Sequence, residues 1–373
     1  MWQINTAIVH DRYITKGGAE RVVDSLIHQY KTDNWNKVKL YVLMSPYSTI
    51  NEVCVVSVIP QRLFRIISKV FDYRNTMPLY PVLVGLLSIR LAWDRPERLL
   101  VSSFAAVKNV RIPSSVVEST LYLHSSMQYI RELYDQYSNQ LWSFKRVVFR
   151  FVSWYMRKWD VAATPKYSQV TANSTYTAKI ATKRYGFSHV TVSYPPLHTV
   201  FVNSLWVSVP SKDYYIFVWR VVKFVRHIDK VIELANSCSI PLVIVWDWPD
   251  MDYAKSIAWP TVIFKWRVES PEEKYDLIRY ASWLINLANE SAWIVTMECL
   301  SCGVPVFGFK GGWTQELLWQ IEDTWVVWWT LVNQLDHESL CAWFEQFHQN
   351  EFDRASIADA YAAAIYPNVG WII

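Results

Sequence analysis

Residues 283–309, WLINLANESAWIVTMECLSCGVPVFGF, decide the fold of this chain. They begin with an apolar run at Trp283–Ala288, continue with helical periodicity over Ile294–Ser301 and end with a second apolar run at Pro305–Phe309. Short apolar runs bounded in this way are typical of buried strands. Strands that alternate with helices indicate a parallel sheet covered on both faces. The stretch therefore predicts a strand–helix–strand unit of an α/β domain.

The same alternation extends outward from this stretch. In the second half of the chain we expect further strands at Tyr214–Val221, Pro241–Asp247, Thr261–Lys265 and Trp325–Trp328, and helices at His227–Cys238, Glu272–Tyr280, Thr314–Gln320 and His337–His348. In the first half we expect strands at Ile4–His10, Lys39–Met44, Leu99–Ser103, Leu121–His124, Val170–Asn173 and Val190–Tyr194, and helices at Gly18–Tyr30 and Thr175–Tyr185. The fold class is therefore α/β, with two Rossmann-like halves.

Length and proline content place a boundary between the two halves. At roughly 100–200 residues per domain, a chain of 373 residues corresponds to two domains. Pro195 and Pro196 end any regular element. We therefore predict one domain over 1–196, a second over 197–350, and a C-terminal helix or tail over 351–373 that could cross back to the first domain.

Composition excludes several classes of protein. Hydrophobic residues make up 52% of the chain and aromatic residues 16%, which excludes a disordered chain. The nearest candidate for a membrane span, Met77–Trp93, is interrupted by Arg90, so we expect none. Residues 1–5 show no basic segment followed by an apolar one, so we expect no signal peptide. Five cysteines without a framework spacing fit a reducing cytosol.

Glycine and histidine residues stand at the carboxyl ends of two predicted strands. His10 and Asp11 end the first strand, and Gly17 and Gly18 open the next helix. Paired glycines let backbone amides approach a ligand, and a helix N-terminus favours an anion such as phosphate. His124 ends another strand at the same edge of the sheet, where ligands bind in α/β folds. The alternatives are an ordinary strand-to-helix turn and a hydrogen-bonded structural histidine.

Two glutamates flank the start of the helix in the deciding stretch. Glu290 lies in the loop after the strand, and Glu298 lies eight residues further on, inside the helix. Such a pair can hold sugar hydroxyls through the first carboxylate, a phosphate at the helix N-terminus and a ribose through the second carboxylate. The alternative is a solvated helix face, which the apolar residues on both sides oppose. Cys299 and Cys302 follow, and without a second Cys/His pair we expect them to pack in the core rather than to bind a metal.

Two stretches, within 61–71 and 144–159, combine basic and aromatic residues. Such stretches can lie on an anionic membrane surface, and the alternative is a solvated basic face on a helix that packs on the core. Nucleic acid is disfavoured because no recognised binding motif accompanies the charge. The candidate contacts to a membrane or an acceptor are Arg62, Arg65, Lys69, Lys145, Arg146 and Arg150.

Together these motifs resemble the retaining family 4 glycosyltransferases of the GT-B fold, and within them bacterial mannosyltransferase-like enzymes. The resemblance covers nearly the whole chain. The segments that carry it are His10-Asp11, Gly17–Glu20, Tyr122–Ser125, Ala172–Ser174, Val192–Pro196, Phe217–Arg220, the Glu290 and Glu298 pair, Gly303–Val306 and Gly311-Gly312. It implies two Rossmann-like domains facing across a cleft, with the acceptor bound mainly by the first and the nucleotide sugar by the second.

The resemblance also implies roles at the matching positions. His124 would contact the transferred sugar near the reacting centre, and Glu290 would hold the sugar hydroxyls. Arg220 would pair with the donor phosphates and stabilise charge on the departing nucleotide diphosphate. Glu298 would accept from the ribose hydroxyls. The other implied donor contacts are Gly17 and Gly18 near the pyrophosphate, the amides of Ile294 and Val295 beside Glu290, and the backbone of Arg267 and Val268 around the base.

The implied activity is transfer of a hexose with retention and without a required metal or other cofactor. GDP-mannose is the preferred donor and a UDP-hexose the second. The acceptor would be a lipid-linked or growing surface polysaccharide, so we expect a cytoplasmic enzyme, peripheral at the inner face of an anionic membrane, that binds no nucleic acid. Two alternatives stay open. One is another GT-B enzyme, such as a nucleotide-sugar epimerase; the other is a non-catalytic module that binds a nucleotide sugar or a membrane.

The chain departs from the family pattern in two ways. Val225 stands where the family has a lysine, and Lys223 and Arg226 flank it. Average glycine usage near 7% predicts about 26 glycines, whereas the chain has 9 glycines and 21 tryptophans. Family glycines are replaced by tryptophan at Trp219, Trp246, Trp248, Trp266, Trp293 and Trp313.

We hypothesise that the source of this chain reads the codon UGA as glycine, so that translation of UGA as tryptophan misassigns glycines at scattered sites. Sequencing the gene tests this hypothesis, because UGA is then expected at the codons for Trp219, Trp246 and Trp293. UGG codons at those three positions would refute it. Trp159 fits the family as tryptophan, and we expect UGG at that position.

Overall fold

The computed structural model describes residues 4–15, 17–31, 36–68, 73–203, 212–218, 227–245, 251–265, 268, 270–287, 294–310, 312–319, 329–332, 335–347 and 353–369. The chain divides into two compact units, the first over Met1–Pro196 and the second over Leu197–Val369. Each unit is built around one sheet of parallel strands covered by helices. The α/β fold class predicted from the sequence is confirmed.

The first unit contains an eight-stranded sheet. Its strands are β1 (Ile4–Arg12), β2 (Asn36–Met44), β3 (Thr49–Ile50), β4 (Val53–Ile59), β5 (Arg98–Ser103), β6 (Glu118–Leu123), β7 (Gln169–Ala172) and β8 (Thr191–Val192). The strands lie in the order β3-β4-β2-β1-β5-β6-β7-β8. Neighbouring strands pair in parallel, except β3 and β4, which form an antiparallel edge.

Helices cover both faces of this sheet. They are α1 (Gly18–Lys31), α2 (Gln61–Ile67), α3 (Tyr80–Asp94), α4 (Tyr134–Asn139), α5 (Ser143–Ala162) and α6 (Thr175–Tyr185), with 3₁₀ turns at Tyr73–Leu79, Val107–Asn109 and Gln128–Ile130. Val23 and Leu26 of α1 pack on one face. Phe64 of α2, Leu87 of α3 and Met156 of α5 belong to the core cluster on the other face. These three helices therefore cover the same face of the sheet, and their outer sides point away from that face.

The second unit contains a six-stranded sheet in which all described pairs are parallel. Its strands are β9 (Tyr215–Val218), β10 (Leu242–Val245), β11 (Val262–Lys265), β12 (Trp283–Asn286), β13 (Val306–Phe309) and β14 (Trp329–Val332), in the order β11-β10-β9-β12-β13-β14. The helices are α7 (Thr199–Val202), α8 (Ile228–Ser237), α9 (Met251–Ile257), α10 (Pro271–Arg279), α11 (Ile294–Ser301), α12 (Gly312–Trp319), α13 (His337–Phe347) and α14 (Arg354–Ala364), followed by a 3₁₀ turn at Tyr366–Asn368.

Two described elements lie near predictions made for the C-terminal part of the chain. The last described strand is Trp329–Val332, and the strand predicted at Trp325–Trp328 lies outside the described residues. Helix α14, within the predicted C-terminal tail, packs on α11 of the second unit. The guanidinium of Arg354 at its start donates to the carbonyl oxygens of Arg279, Ala281 and Cys302.

Helix α3 and the turn before it form an apolar helical stretch, Thr76–Asp94. By length and composition alone this stretch could cross a membrane, and 44% of its apolar 18-residue segment is buried inside the protein. Leu87 and Leu91 on its inner side are fully buried in the core cluster. Its outer side is apolar as well, since Val82, Ile89 and other large side chains there are exposed.

The turn after α11 shows how a glycine joins this helix to α14. Gly303 has a φ of +69°, and the amides of Gly303 and Val304 donate to the carbonyls of Leu300 and Cys299 in a Schellman motif. A Cβ atom at Gly303 would lie 2.2 Å from the carbonyl oxygen of Arg354. Both the backbone conformation and the close approach of α14 therefore require glycine at this position.

Three glycine-to-alanine substitutions should separate these two constraints. Gly186→Ala changes a residue with a φ of +72° and open space around it, so we expect a loss of about 1–2 kcal/mol in the free energy of unfolding. In Gly303→Ala the clash with α14 adds about 1–3 kcal/mol, so the free energy of unfolding should fall further than in Gly186→Ala. Gly85→Ala, in an open position on α3, should gain about 0.5–1 kcal/mol. Chemical denaturation measures all three, and equal losses at 186 and 303 would contradict the close approach.

Candidate functional site

Each sheet has one point where the order of its strands reverses. In the first unit the chain runs outward in both directions from β1 and β5, and in the second unit it does so from β9 and β12. In open α/β sheets, ligands bind outside the carboxyl ends of the strands at such a switch point. The described ends are Arg12 and Ser103 in the first unit and Val218 and Asn286 in the second. These two edges define one candidate site region in each unit.

In the first unit, the buried carboxylate of Asp11 organises the switch point. It accepts a hydrogen bond from the hydroxyl of Ser103 at 3.1 Å and four more from consecutive backbone amides. Those amides, at 2.6–2.9 Å, belong to Phe104, Ala105, Ala106 and Val107. A carboxylate bound to several amides is a strong, charge-assisted anchor. Asp11 therefore fixes the loop after β5 against the end of β1.

Two histidines and a serine lie side by side at the same edge. His10 on β1 is opposite Ser102 on β5 in the parallel register. Its Nδ1 lies 2.9 Å from the carbonyl oxygen of Ser102 and 3.1 Å from the hydroxyl oxygen. The same hydroxyl lies 2.8 Å from Nε2 of His124, just after β6. Burial, and secondarily the neighbouring His10, lowers the pKa of His124 well below its usual value, so this ring is neutral.

The glycine loop leads into α1 with a built-in acidic cap. Helix α1 begins at Gly18, and the amide of Gly17 donates to the carboxylate of Glu20 at 3.1 Å. The amide of Arg21 in turn donates to the carbonyl of Gly17 at 3.1 Å. This bond is one half of a capping box, in which the Glu20 carboxylate accepts from the amide of Gly17. The donor contacts predicted for Gly17 and Gly18 stay predictions.

In the second unit, Asn286 at the end of β12 joins two helix starts. Its side-chain amide donates to the hydroxyl of Thr296 in the first turn of α11 at 3.2 Å and to that of Thr314 in the first turn of α12 at 3.1 Å. All three side chains are buried. Asn286 was not among the residues predicted from the sequence; a polar residue in the middle of an apolar run was the signal that could have found it. It holds two helix N-termini, which favour anions, at one edge of the sheet.

The first turn of α11 contains the predicted donor contacts Ile294 and Val295, whose side chains are buried. Glu298, one turn further, is fully buried and forms an ion pair with Lys274 of α10. A buried carboxylate without such a partner would be costly, so the pairing with Lys274 compensates its burial. The structure thus places Glu298 on the inner side of α11, and its predicted role towards a ribose stays a prediction.

The other predicted donor contacts fall mostly on residues that the structure does not describe. Val268 is half-buried. Trp313 is the second residue of α12. Outside the described residues lie Arg220, Arg267, Glu290, Val225, Trp219, Trp246, Trp248, Trp266 and Trp293.

The two cysteines near the end of α11 pack in the interior. Cys299 and Cys302 are buried, and burial raises the pKa of the Cys299 thiol well above its usual value. A thiol held protonated in this way is a poor nucleophile and metal ligand. In the part of the chain that the structure describes, no group of three or more His, Cys, Asp or Glu side chains is placed to hold a metal ion.

The basic and aromatic stretches form helices on one side of the first sheet. Arg62 and Arg65 lie on α2, and Lys145, Arg146 and Arg150 lie on α5. All five are exposed. Lys69 lies outside the described residues. Large apolar side chains are exposed beside these charges on α2, α3 and α5; they are Leu63, Ile66, Val82, Leu86, Ile89, Trp93, Phe144, Val147, Val148, Phe151, Trp154, Tyr155 and Val161.

The two-sheet architecture matches solved GT-B structures over nearly the whole chain. No protein-family model matches the sequence, and no curated protein matches it significantly. WaaG, a glycosyltransferase involved in lipopolysaccharide biosynthesis, is 12% identical with a TM-score of 0.65, covering 95% of this chain and 94% of its own. HepE from Anabaena, solved with UDP-glucose, is 14% identical with a TM-score of 0.64, covering 98% and 95%.

A third solved structure extends the same likeness. Sucrose-phosphate synthase from Thermosynechococcus elongatus is 10% identical with a TM-score of 0.68, covering 99% of this chain and 95% of its own. At such identities, likeness in structure defines the fold. The chain therefore has the GT-B fold, as the resemblance in its motifs implied.

Proposed function

We propose that this protein is a glycosyltransferase that moves a hexose from a nucleotide-diphosphate sugar to an acceptor. The GT-B fold carries the proposal, together with the buried His124 at the switch point of the first unit and the motif residues that follow β9 and β12 in the sequence. Arg220 follows the end of β9 by two residues, and Glu290 follows the end of β12 by four. His124 lies at the equivalent edge of the first unit. The complex of HepE with UDP-glucose supports a nucleotide sugar as donor.

The described part of the second unit can bind the donor electrostatically. The first turn of α11 would present the backbone amides of Ile294 and Val295 to a phosphate, and Asn286 holds the start of this helix at the edge of the sheet. In glycosyl transfer from a nucleotide diphosphate, the main electrostatic task is to stabilise the charge that develops on the departing diphosphate. We assign this task to Arg220 together with the start of α11.

The first unit would contribute a neutral histidine that contacts the transferred sugar. His124 is buried, and the lowered pKa removes its positive charge, so it acts by donating a hydrogen bond rather than by giving up a proton. Glu290 would hold the sugar hydroxyls, and Glu298 the ribose. We propose that the reaction retains the configuration of the transferred sugar and requires no metal. The proposed donor is GDP-mannose, from which mannose is transferred, and a UDP-hexose is the second choice.

A donor panel with matched variants tests this function. We expect purified protein to release nucleotide diphosphate from GDP-mannose in the presence of a lipid-linked acceptor, with little effect of a chelator. His124→Ala and Glu290→Ala should lower the rate by about 100-fold, whereas Glu345→Ala, an exposed carboxylate on α13, should not change it.

The outcome of this panel separates the alternatives. Sugar interconversion without acceptor would favour an epimerase, and tight donor binding without turnover would favour a non-catalytic module. Unchanged transfer in both His124→Ala and Glu290→Ala would show that the site residues are wrongly assigned.

We further propose that the first unit works on an anionic membrane surface, where a lipid-linked or surface-polysaccharide acceptor would be presented. The described face of α5 is cationic because its one acidic residue, Asp160, is buried in ion pairs with Lys108 and Arg131. Burial works against the charge of Lys108, but the Asp160 carboxylate outweighs it and holds the pKa of this lysine above its usual value. The exposed basic residues therefore face no acidic partner on their own helix.

Apolar side chains on the same side of the sheet would enter the lipid. Leu86, Ile89 and Trp93 on the outer side of α3 are 50–80% exposed, and so are Phe144 and Phe151 on α5. Contiguous exposed apolar side chains rimmed by basic ones are typical of helices that lie in the membrane interface. Because the inner side of α3 is part of the core, this helix would lie in the plane of the interface.

Sedimentation with vesicles tests this surface. We expect the protein to bind phosphatidylglycerol vesicles and to bind pure phosphatidylcholine vesicles far more weakly. The double change Ile89→Glu and Phe151→Glu should weaken binding at least about tenfold, because each buried apolar side chain contributes about 1.5–3 kcal/mol. The matched control is Trp259→Glu with Ile263→Glu, two exposed apolar residues of the second unit. Equal loss in the control, or no loss in the first variant, would refute this surface.

A further inference from the structure

A chain of hydrogen bonds joins His10, Ser102 and His124 at the switch point of the first unit. The distances are 2.9 Å from His10 Nδ1 to the carbonyl oxygen of Ser102, 3.1 Å to its hydroxyl oxygen and 2.8 Å from that hydroxyl to His124 Nε2. Both histidines are more than nine-tenths buried, and Ser102 is fully buried. Bulk water therefore does not decide where the protons of this chain lie.

The direction of the first bond follows from the chemistry of a carbonyl group. A carbonyl oxygen can only accept, so the proton of this bond must belong to His10 Nδ1. Nε2 of His10 is buried and has no hydrogen-bond partner among the residues that the structure describes. A doubly protonated ring would leave a charged N–H without an acceptor in the interior, which is costly. His10 is therefore the neutral tautomer with its proton on Nδ1.

The remaining bonds follow in order. Because Nδ1 of His10 donates, the hydroxyl oxygen of Ser102 can only accept from it at 3.1 Å. The buried hydroxyl proton of Ser102 needs an acceptor, and among the described residues the acceptor within reach is Nε2 of His124, so this nitrogen accepts and is unprotonated. A neutral imidazole with an unprotonated Nε2 has its proton on Nδ1.

We propose that Ser102 is a positioning residue that holds His124 in the tautomer protonated on Nδ1. Across the described residues, the His124 ring makes one hydrogen bond, the one from Ser102. Nδ1–H is therefore the donor that this ring offers to a ligand, and the ring cannot serve as an acceptor there. This inference rests on the proposed function for its consequence: the ligand is a hydroxyl oxygen of the transferred sugar.

The fixed tautomer constrains the substrate. A ring held as a donor at Nδ1 binds the lone pair of a hydroxyl group and rejects a group that can only donate at that point. A histidine free to exchange tautomers would bind either kind of group. Ser102 and His10 would thus determine, without touching the sugar, that its hydroxyl oxygen accepts the hydrogen bond from His124.

NMR measures the tautomer directly, with ¹⁵N-labelled histidine in the full-length protein. Protonated and unprotonated ring nitrogens have well-separated ¹⁵N shifts, and the signals are assigned with His10→Gln and His124→Gln. In the unaltered protein we expect a protonated Nδ1 and an unprotonated Nε2 for both rings. In Ser102→Ala we expect the His124 proton to move towards Nε2, whereas Ser102→Thr, which keeps the hydroxyl, should retain the original pattern.

Activity provides an independent second measurement. Ser102→Ala should lower kcat by about tenfold, the effect of one hydrogen bond, and Ser102→Thr should restore it. A protonated Nε2 on His124 in the unaltered protein, or an unchanged tautomer in folded Ser102→Ala, would overturn the proposal. If the tautomer is found as expected while no donor is turned over, the proposed function fails and the role of Ser102 towards His124 stands.

Discussion

The first unit depends on one carboxylate bound to four consecutive amides. Asp11 is the second-last residue of β1, and the loop that it binds follows β5, more than ninety residues further along the chain. This contact joins the two strands at the switch point and so sets the positions of His10 on one strand and Ser102 on the other. The hydrogen-bond chain to His124 forms because the parallel register places His10 opposite Ser102 near the ends of the two strands. The second unit has a counterpart in Asn286, which holds two helix starts with one side-chain amide.

Periodicity predicted the elements whose burial pattern is local. Helix α11 begins and ends at the predicted residues, Ile294 and Ser301, and α6 does so at Thr175 and Tyr185. Apolar side chains that repeat with the period of one element, together with a cap such as Ser174, are sufficient there. The sequence did not predict α3 as a helix, because both of its sides are apolar and the pattern does not tell which side packs on the sheet.

The sequence could predict a site residue where a polar residue follows an apolar strand. It could not predict a residue whose role depends on a partner far away in the chain. His124 could be placed because it follows an apolar run, and the structure puts it at the expected edge. Ser102 carries no signal in the sequence, since its importance arises from two histidines that the parallel register brings to it. The sequence marked the edge near His10 and Asp11 as a ligand loop, whereas Asp11 uses its carboxylate to bind the protein's own backbone.

Gly303 illustrates the steric constraints that a tryptophan would have to meet at a position where the family has glycine. Gly303 needs a left-handed backbone, and a Cβ atom there would stand 2.2 Å from the backbone of Arg354, so no side chain fits without moving α14. Trp283 and Trp159, by contrast, pack in or against the cores, as tryptophans do. The tryptophans therefore fall into several groups: residues that pack in or against a core, exposed residues such as Trp93 and Trp154, and residues at positions where the resemblance implies glycine. Under the codon hypothesis, the third group would be glycines, and the backbone at those positions would carry no side chain.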